Sequence, residues 1–273
     1  MHKLQEMCGG GFIQGRIANI IADTSVGKST FVNRMVYHWI FHSPEVPTIV
    51  SLEATAGQYM LEMLTIHLQK NLRWVMTDVE IIEYLKSEDG QRLKEELCFK
   101  EDGSPRFYLI DDRTGDIKDT EKQVEKLFKQ YGSKMFVFDV LTNLLEGSSE
   151  QHIDDHMHFQ RNMVKHGITF VNVLHTRKPP NSSDGKPRKV TEYDAKNSGT
   201  FVQSAAYNIV MNRDKLAEDD TVKNTTEVDL PKCRGGKTGS AGNWYFDFMT
   251  ATCHDKDDYL AEHPELLRPR VDF

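Results

Sequence analysis

Short, unbroken apolar runs alternate along this chain with longer stretches of helical spacing. Residues 16–22, 47–52, 107–110, 135–139 and 168–174 are runs of Ile, Val, Leu, Phe and Met. Apolar continuity of that length predicts strands buried on both faces, as in a parallel sheet. Between them, residues 28–41, 56–68, 78–98, 120–131 and 151–165 place apolar side chains at helical intervals, and Gly132 ends the fourth of these helices. Strands alternating with helices of this size predict βαβ units and a sheet covered on both sides.

Beyond residue 174 the rhythm changes. Residues 177–197 are rich in Pro, Ser, Lys, Asp and Gly and predict a long mobile loop. Residues 207–212, 225–230 and 244–249 are short β-type runs separated by turns, expected as antiparallel strands at the C-terminal edge of the sheet. The predicted organisation is a lead-in over residues 1–14, an α/β domain over 15–250, and a poorly ordered polar tail over 251–273.

Composition narrows the picture modestly. The chain has 273 residues, 38% of them hydrophobic and 27% charged, with a net charge of -7, as for an ordinary globular protein. No apolar run reaches the roughly 20 residues of a membrane span, and residues 1–7 lack the apolar stretch of a secretory signal. The four cysteines lie far apart with no CxxC pair, which argues against a zinc site or disulfide framework and fits a reducing compartment. With an acidic surface overall, any nucleic-acid site has to be a local basic patch.

The strongest chemical signal is Ala22-Asp23-Thr24-Ser25-Val26-Gly27-Lys28-Ser29, followed by Thr30, between the first strand and the first long helix. A small residue, four free positions and Gly-Lys-Ser form a phosphate-binding loop. Its backbone N–H groups wrap the phosphates, Lys28 neutralises them, and Ser29 ligates magnesium. The helix N-terminus adds its positive dipole end. The alternative is a chance match in a Gly/Ser turn, which the flanking strand and helix oppose. Asp139, closing the fourth strand, has the form of the second magnesium-holding acid, or else of a helix cap. Glu53, after the second strand, sits where a carboxylate can activate water, or else serves as a first-turn acid for the next helix.

Three further segments follow in order: His175-Thr176-Arg177-Lys178-Pro179, Asp194-Ala195-Lys196-Asn197-Ser198-Gly199, and Lys232-Cys233-Arg234-Gly235-Gly236-Lys237-Thr238-Gly239. Together with Gly9-Gly10-Gly11, the phosphate loop, Leu52-Glu53 and Asp139, they resemble the ring-shaped replicative helicases: the helicase half of phage helicase–primases, mitochondrial Twinkle and, more distantly, bacterial DnaB. The resemblance implies a RecA-like P-loop NTPase fold and hexameric rings with ATP or dTTP and Mg2+ at subunit interfaces. Carried over by position, it makes Glu53 the catalytic base, His175 the sensor of the terminal phosphate, and Arg234, with Lys232, the cations reaching a neighbour's nucleotide. It makes Arg213 and Phe246 the residues that sandwich the base, with Tyr245 adjacent to Phe246. Without the resemblance, His175 reads as a structural histidine, Lys232 and Arg234 as turn charges, and Arg213 as a surface residue of an edge strand.

Arg177, Lys178, Lys186, Arg188, Lys189 and Lys196 concentrate basic charge in one segment of an acidic chain. In the resembled family such loops grip single-stranded DNA, and phosphate contacts of this kind give affinity with little sequence preference; the alternative is a solvated loop. His152, Asp154, Asp155, His156 and His158 resemble a metal cluster, but their helical spacing favours a polar helix face. The implied function is an NTP-driven DNA helicase that translocates on single-stranded DNA. A recombination ATPase of the same fold and a non-hydrolysing DNA-binding or loader module are the alternatives. Replisome proteins are possible partners. The expected location is the cytoplasm, that of a host cell if the chain is of phage origin, with the mitochondrial matrix open. The helicases carry a linker helix, and often a primase domain, before the position of Gly9. The chain is therefore expected to be a truncated or stand-alone member, a monomer or weak oligomer by itself.

Overall fold

The structure, a computed structural model, describes residues 2–111, 116–177, 188–196 and 198–267. Nine strands form one sheet: β1 (Ile17–Ala22), β2 (Pro47–Ser51), β3 (Tyr108–Asp111), β4 (Met135–Asp139), β5 (Thr169–His175), β6 (Tyr207–Arg213), β7 (Thr225–Cys233), β8 (Gly239–Asp247) and β9 (Thr252–Asp255). Their spatial order is β3-β2-β4-β5-β1-β6-β7-β8-β9. β1 to β6 run parallel, and β7, β8 and β9 continue the sheet antiparallel. The expected architecture is present, with a mostly parallel sheet and antiparallel strands at the C-terminal edge.

The continuous apolar runs have the predicted cause. Every residue of β1, β2 and β4 is buried, because helices cover both faces. Alternate residues of β1 divide between two cores: Ala18, Ile20 and Ala22 pack with the helices Lys28–His42 and Ala56–Leu68. Ile17 and Ile21 pack with the helices Ile117–Tyr131 and Glu150–Val164 on the opposite face. Local signals fix the helix ends. Thr55 and Gln58 form a capping box, Ser149 caps the helix that follows it, and Gly132 closes its helix in a left-handed conformation at φ 68. The single helix predicted over residues 78–98 is two, Asp78–Lys86 and Glu88–Cys98. Ser87 is extended, at ψ 163, and its hydroxyl accepts from Gly90 N, so it ends one helix and caps the next.

The second core contains a row of amides. Asn19, Asn172 and Asn208 occupy paired positions on β1, β5 and β6, and all three are fully buried. Asn172 Nδ2 donates to Gln160 Oε1 at 2.9 Å, and Gln160 Nε2 donates back to Asn172 Oδ1 at 3.0 Å. Asn19 Nδ2 donates to Asn208 Oδ1 at 3.0 Å and to Phe201 O at 2.9 Å. Asn208 Nδ2 reaches Glu192 Oε2 at 2.6 Å. At the other end Gln160 meets His156 Nε2 at 3.0 Å, and His156 Nδ1 meets Glu121 Oε1 at 2.9 Å. Each side chain of the row thereby keeps a partner.

Several expectations are corrected. The segment after β5 is not loose over its described part. Thr176 bridges Ala195, Arg177 N donates to Asp194 O at 2.8 Å, Lys196 N donates to His175 O at 3.0 Å, and Val190 is buried. Residues 251–267 are not a disordered tail. β9 pairs with β8, and in the following helix Lys256–Glu262 Leu260 is buried, while Tyr259 Oη donates to Asp247 Oδ2 at 2.7 Å. The lead-in contains a helix, His2–Met7, whose Leu4 and Met7 enter the first core. His156 does not belong to a polar helix face but lies in the second core, because Glu121 and Gln160 satisfy both of its ring nitrogens. No cluster of three or more metal-ligating side chains, and no helix long and apolar enough to cross a membrane, occurs among the described residues.

Candidate nucleotide site at the carboxyl edge of the sheet

The parallel strands deliver their C-terminal residues to one edge in the order β2, β4, β5, β1. In register, Ser51 of β2 lies beside Asp139 of β4, and Ala22 of β1 beside His175 of β5. This carboxyl edge is where ligands bind in open α/β sheets. Glu53, Asp139, His175 and Lys28, from four separate stretches of sequence, are brought together there.

The loop 22–29 is shaped by its backbone. Gly27 stands at φ 102, a region closed to most side chains, immediately before the helix Lys28–His42, and Ser25 is left-handed at φ 61. Lys28 is buried, and its Nζ folds back to donate to Ala22 O at 3.0 Å and Asp23 O at 2.7 Å. Burial lowers its pKa to about 8, against the opposing pull of Glu53, Asp23 and Asp139. Ser29 Oγ donates to Asp139 Oδ1 at 3.3 Å. Burial, then the charge of Glu53, raises the Asp139 carboxyl to about 7. Two hard oxygen ligands side by side, one on a carboxyl that ionises reluctantly for want of positive charge, suit a divalent cation such as Mg2+.

Glu53 Oε1 lies 3.2 Å from His175 Nε2 and accepts from Asn143 Nδ2 at 2.8 Å. Its side chain is 46% exposed, so water reaches it. Burial and the nearby Lys28 lower the His175 pKa, with Glu53 opposing, so the imidazole is held neutral. His175 N donates to Thr142 Oγ1 at 3.1 Å, while His175 Nδ1 is buried with no hydrogen-bond partner among the described residues. A neutral imidazole against a carboxylate, beside a buried lysine, is a polar constellation able to orient a nucleophilic water near a phosphate.

Two contributors escape a reading by sequence. Asn143 lies on the short helix Leu141–Leu144, four positions after Asp139, and nothing in its spacing marks it. Lys215 comes from the turn after β6, and its Nζ reaches Asp23 Oδ2 at 3.4 Å and Thr24 O at 2.8 Å. Although burial acts to raise the Asp23 pKa, the Thr24 amide and Lys215 outweigh it and hold that carboxyl below its usual value. Lys215 is found only through the β1–β6 pairing that brings residues 23 and 215 together.

The remaining predicted residues fall in three places. Arg213 and Phe246 meet at Asn224: Arg213 Nη2 donates to Asn224 Oδ1 at 3.1 Å, and Phe246 N donates to Asn224 O at 2.9 Å. Arg213 Nε also donates to Lys223 O at 2.5 Å, and Phe246 packs partly buried against the first core. Lys232 Nζ donates to Val202 O and, at 3.3 Å, to Gln203 O; Arg234 Nη2 shares that last acceptor, also at 3.3 Å. Their strand position decides what they can reach. Cys233 pairs with Tyr207, Tyr207 with Ala18, and Met211 with Ala22. Arg234 is therefore roughly 13 Å along β1 from the phosphate loop and about two strand spacings, roughly 10 Å, across from it. It cannot serve the loop of its own chain.

Arg177 and Lys196 line a cavity of about 370 Å³ with Thr142, Leu145, Gly147 and Ser148. Arg188 is engaged by Asp194, Nη1 to Oδ2 at 2.9 Å and Nη2 to Oδ1, and Lys189 is engaged by Glu227. Lys178 and Lys186 lie outside the described residues. The larger pocket, about 690 Å³, lies between the helices His2–Met7, Lys28–His42 and Lys256–Glu262, and none of the phosphate-site residues lines it.

A protein-family model described as the DnaB-like helicase C terminal domain matches residues 1–251. Among solved structures the chain is similar to a helicase ATPase domain, with a TM-score of 0.71 and 17% sequence identity over 93% of this chain and 89% of that one. At that identity the likeness establishes the fold, which is RecA-like. No curated protein matches the chain.

Proposed function

The chain belongs to the family of DnaB-like helicase C-terminal domains, and from that premise we propose that it is a DNA helicase motor: a nucleoside triphosphatase that translocates on single-stranded DNA and unwinds duplex. The observation that carries the reading is the convergence of Lys28, Ser29, Glu53, Asp139 and His175 at one sheet edge, with Glu53 both water-accessible and oriented by two neighbours.

The terminal phosphates of ATP or dTTP lie over loop 22–29, and Lys28 Nζ exchanges the carbonyls of Ala22 and Asp23 for phosphate oxygens. Mg2+ is held by Ser29 Oγ and Asp139. When bound, it offsets charge on the phosphates during transfer. Glu53 takes the proton of the attacking water, with Asn143 Nδ2 and His175 Nε2 fixing its carboxylate. His175 responds to loss of the terminal phosphate, and its strand leads directly into Arg177. Arg213 and Phe246 flank the base. Arg234, with Lys232, completes the site of an adjacent copy in a ring, because it lies too far from its own. Arg177 and Lys196 contact the DNA backbone, together with Lys178, Lys186, Arg188 and Lys189, the last two after release from Asp194 and Glu227. The setting is the cytoplasm in which DNA is copied, with replisome proteins as further partners.

The test is release of inorganic phosphate from ATP and from dTTP with Mg2+, with and without single-stranded DNA, the oligomer size being recorded by light scattering. Hydrolysis that rises with DNA and is lost in Lys28→Ala, together with unwinding of a tailed duplex, is the expected result. Strand pairing without unwinding would make the protein a recombination ATPase, and DNA binding without hydrolysis a loader module.

A further inference from the structure

Two of the four cysteines, 8 and 233 in sequence, meet in the fold. Cys8 follows the helix His2–Met7 and is 4% exposed; Cys233 ends β7 and is half-buried. The turn after Cys233 clasps the end of that helix. Lys237 N donates to Met7 O at 2.9 Å, Cys233 Sγ lies 3.7 Å from the same carbonyl, and Lys237 Nζ pairs with Glu6 Oε1 at 3.5 Å. The approach is close enough to require glycine at 236, where a Cβ would lie 2.2 Å from Met7 O and 2.6 Å from Cys233 Sγ. Met7 O belongs to the peptide that joins Cys8, so the two sulfurs are neighbours. They are in hydrogen-bonding contact, and burial, then Cys233, pushes the Cys8 thiol up to about 12.

We propose that Cys8 and Cys233 form an oxidisable dithiol site, which a peroxide or a low-molecular-weight disulfide converts to an intramolecular disulfide. The product fastens the N-terminal helix to the turn that carries Arg234. The order of events follows from exposure. Cys233, flanked by Lys232 and Arg234, is the sulfur a soluble oxidant reaches. Its thiolate attacks peroxide, the O–O bond breaks, and Cys233 becomes a sulfenic acid with release of water once the leaving hydroxide is protonated. The Cys8 sulfur then displaces hydroxide from that sulfenic acid, its own proton completing a second water. Two thiols lose two electrons and two protons, and one peroxide gains them. Burial keeps Cys8 protonated and unreactive until a sulfenic acid forms beside it.

The experiment uses the full native chain, treated with hydrogen peroxide, alkylated with iodoacetamide under denaturing conditions, digested without reductant and analysed by mass spectrometry. The expected product is a single linked peptide pair, Cys8 to Cys233, lighter by two hydrogens and released by dithiothreitol, with Cys98 and Cys253 recovered alkylated. Cys8→Ser and Cys233→Ser each remove the link, and Cys98→Ser leaves it intact. Should Cys8→Ser fail to fold, Cys233→Ser at the half-buried partner gives the same information. Recovery of Cys8 and Cys233 as separately alkylated or over-oxidised residues, or a link between two chains, overturns the proposal.

Discussion

Asn172→Leu is the sharpest probe of the buried amide row. The substitution keeps nearly the same volume and suits the surrounding core, so cavity formation is not the issue. What changes is hydrogen bonding. Gln160 loses a donor to its Oε1 at 2.9 Å and an acceptor for its Nε2 at 3.0 Å, and Asn19 Oδ1 loses a longer contact at 3.4 Å. Gln160 and Asn19 are fully buried, so water cannot replace the lost partner. A buried polar group left unpaired costs roughly 1–3 kcal/mol. The expected destabilisation is about 3 kcal/mol, or a fall in Tm of about 9 °C at this chain length. Urea unfolding followed by the fluorescence of Trp39, Trp74 and Trp244 measures it, and the midpoint should drop with the slope unchanged. Replacing Gln160 by Leu as well removes both halves of the reciprocal pair, so the double variant should cost less than the two single variants added. Simple additivity, or a loss of under about 0.5 kcal/mol for Asn172→Leu, would refute the view that mutual satisfaction holds this row together.

Other consequences follow from the site and the core. Asn143→Ala removes one hydrogen bond to the Glu53 carboxylate and should lower kcat about tenfold, with nucleotide affinity little changed; steady-state phosphate release and nucleotide titration separate the two effects. Arg234→Ala should lower DNA-stimulated hydrolysis by roughly 10³-fold while leaving nucleotide binding intact, and loss of binding instead would place Arg234 in its own chain's site. Burial holds His156 below its ordinary pKa of 6.5 against the pull of Glu121, with Lys118 as the other charge nearby. The unfolded imidazole gains its proton near pH 6.5, while the folded one resists until lower pH. Stability is therefore complete above that value and falls as the pH drops below it. Urea midpoints at about pH 7.5 and pH 5.5 should diverge less in His156→Gln than in the parent, and equal divergence would remove His156 from the explanation.

Sequence alone determined the local physics. Unbroken apolar runs can be satisfied only by strands covered on both sides, and loop 22–29 declares its chemistry because the wrapping needs a left-handed Gly27 and a lysine at fixed spacing. Glu53 and Asp139 were legible because each ends an apolar run, and a strand's carboxyl end is where an open sheet binds ligands. What depends on strand order could not be read there. β4 and β5 intervene between β2 and β1, and only that interleaving sets Glu53 against His175 and Asn143. The antiparallel turn of β7 sends Arg234 to the far edge, while the parallel run of β6 returns Lys215 to the phosphate loop. Asn19, Asn172 and Asn208 look like polar interruptions of apolar strands until register lines them up. The residues after 251 read as a tail because a polar sequence with two prolines has little apolar pattern. β9 is held there by backbone pairing to β8, and the following helix by Leu260 and the Tyr259 hydroxyl. Local pattern encodes what each segment must bury; which distant partner satisfies it is decided by the sheet.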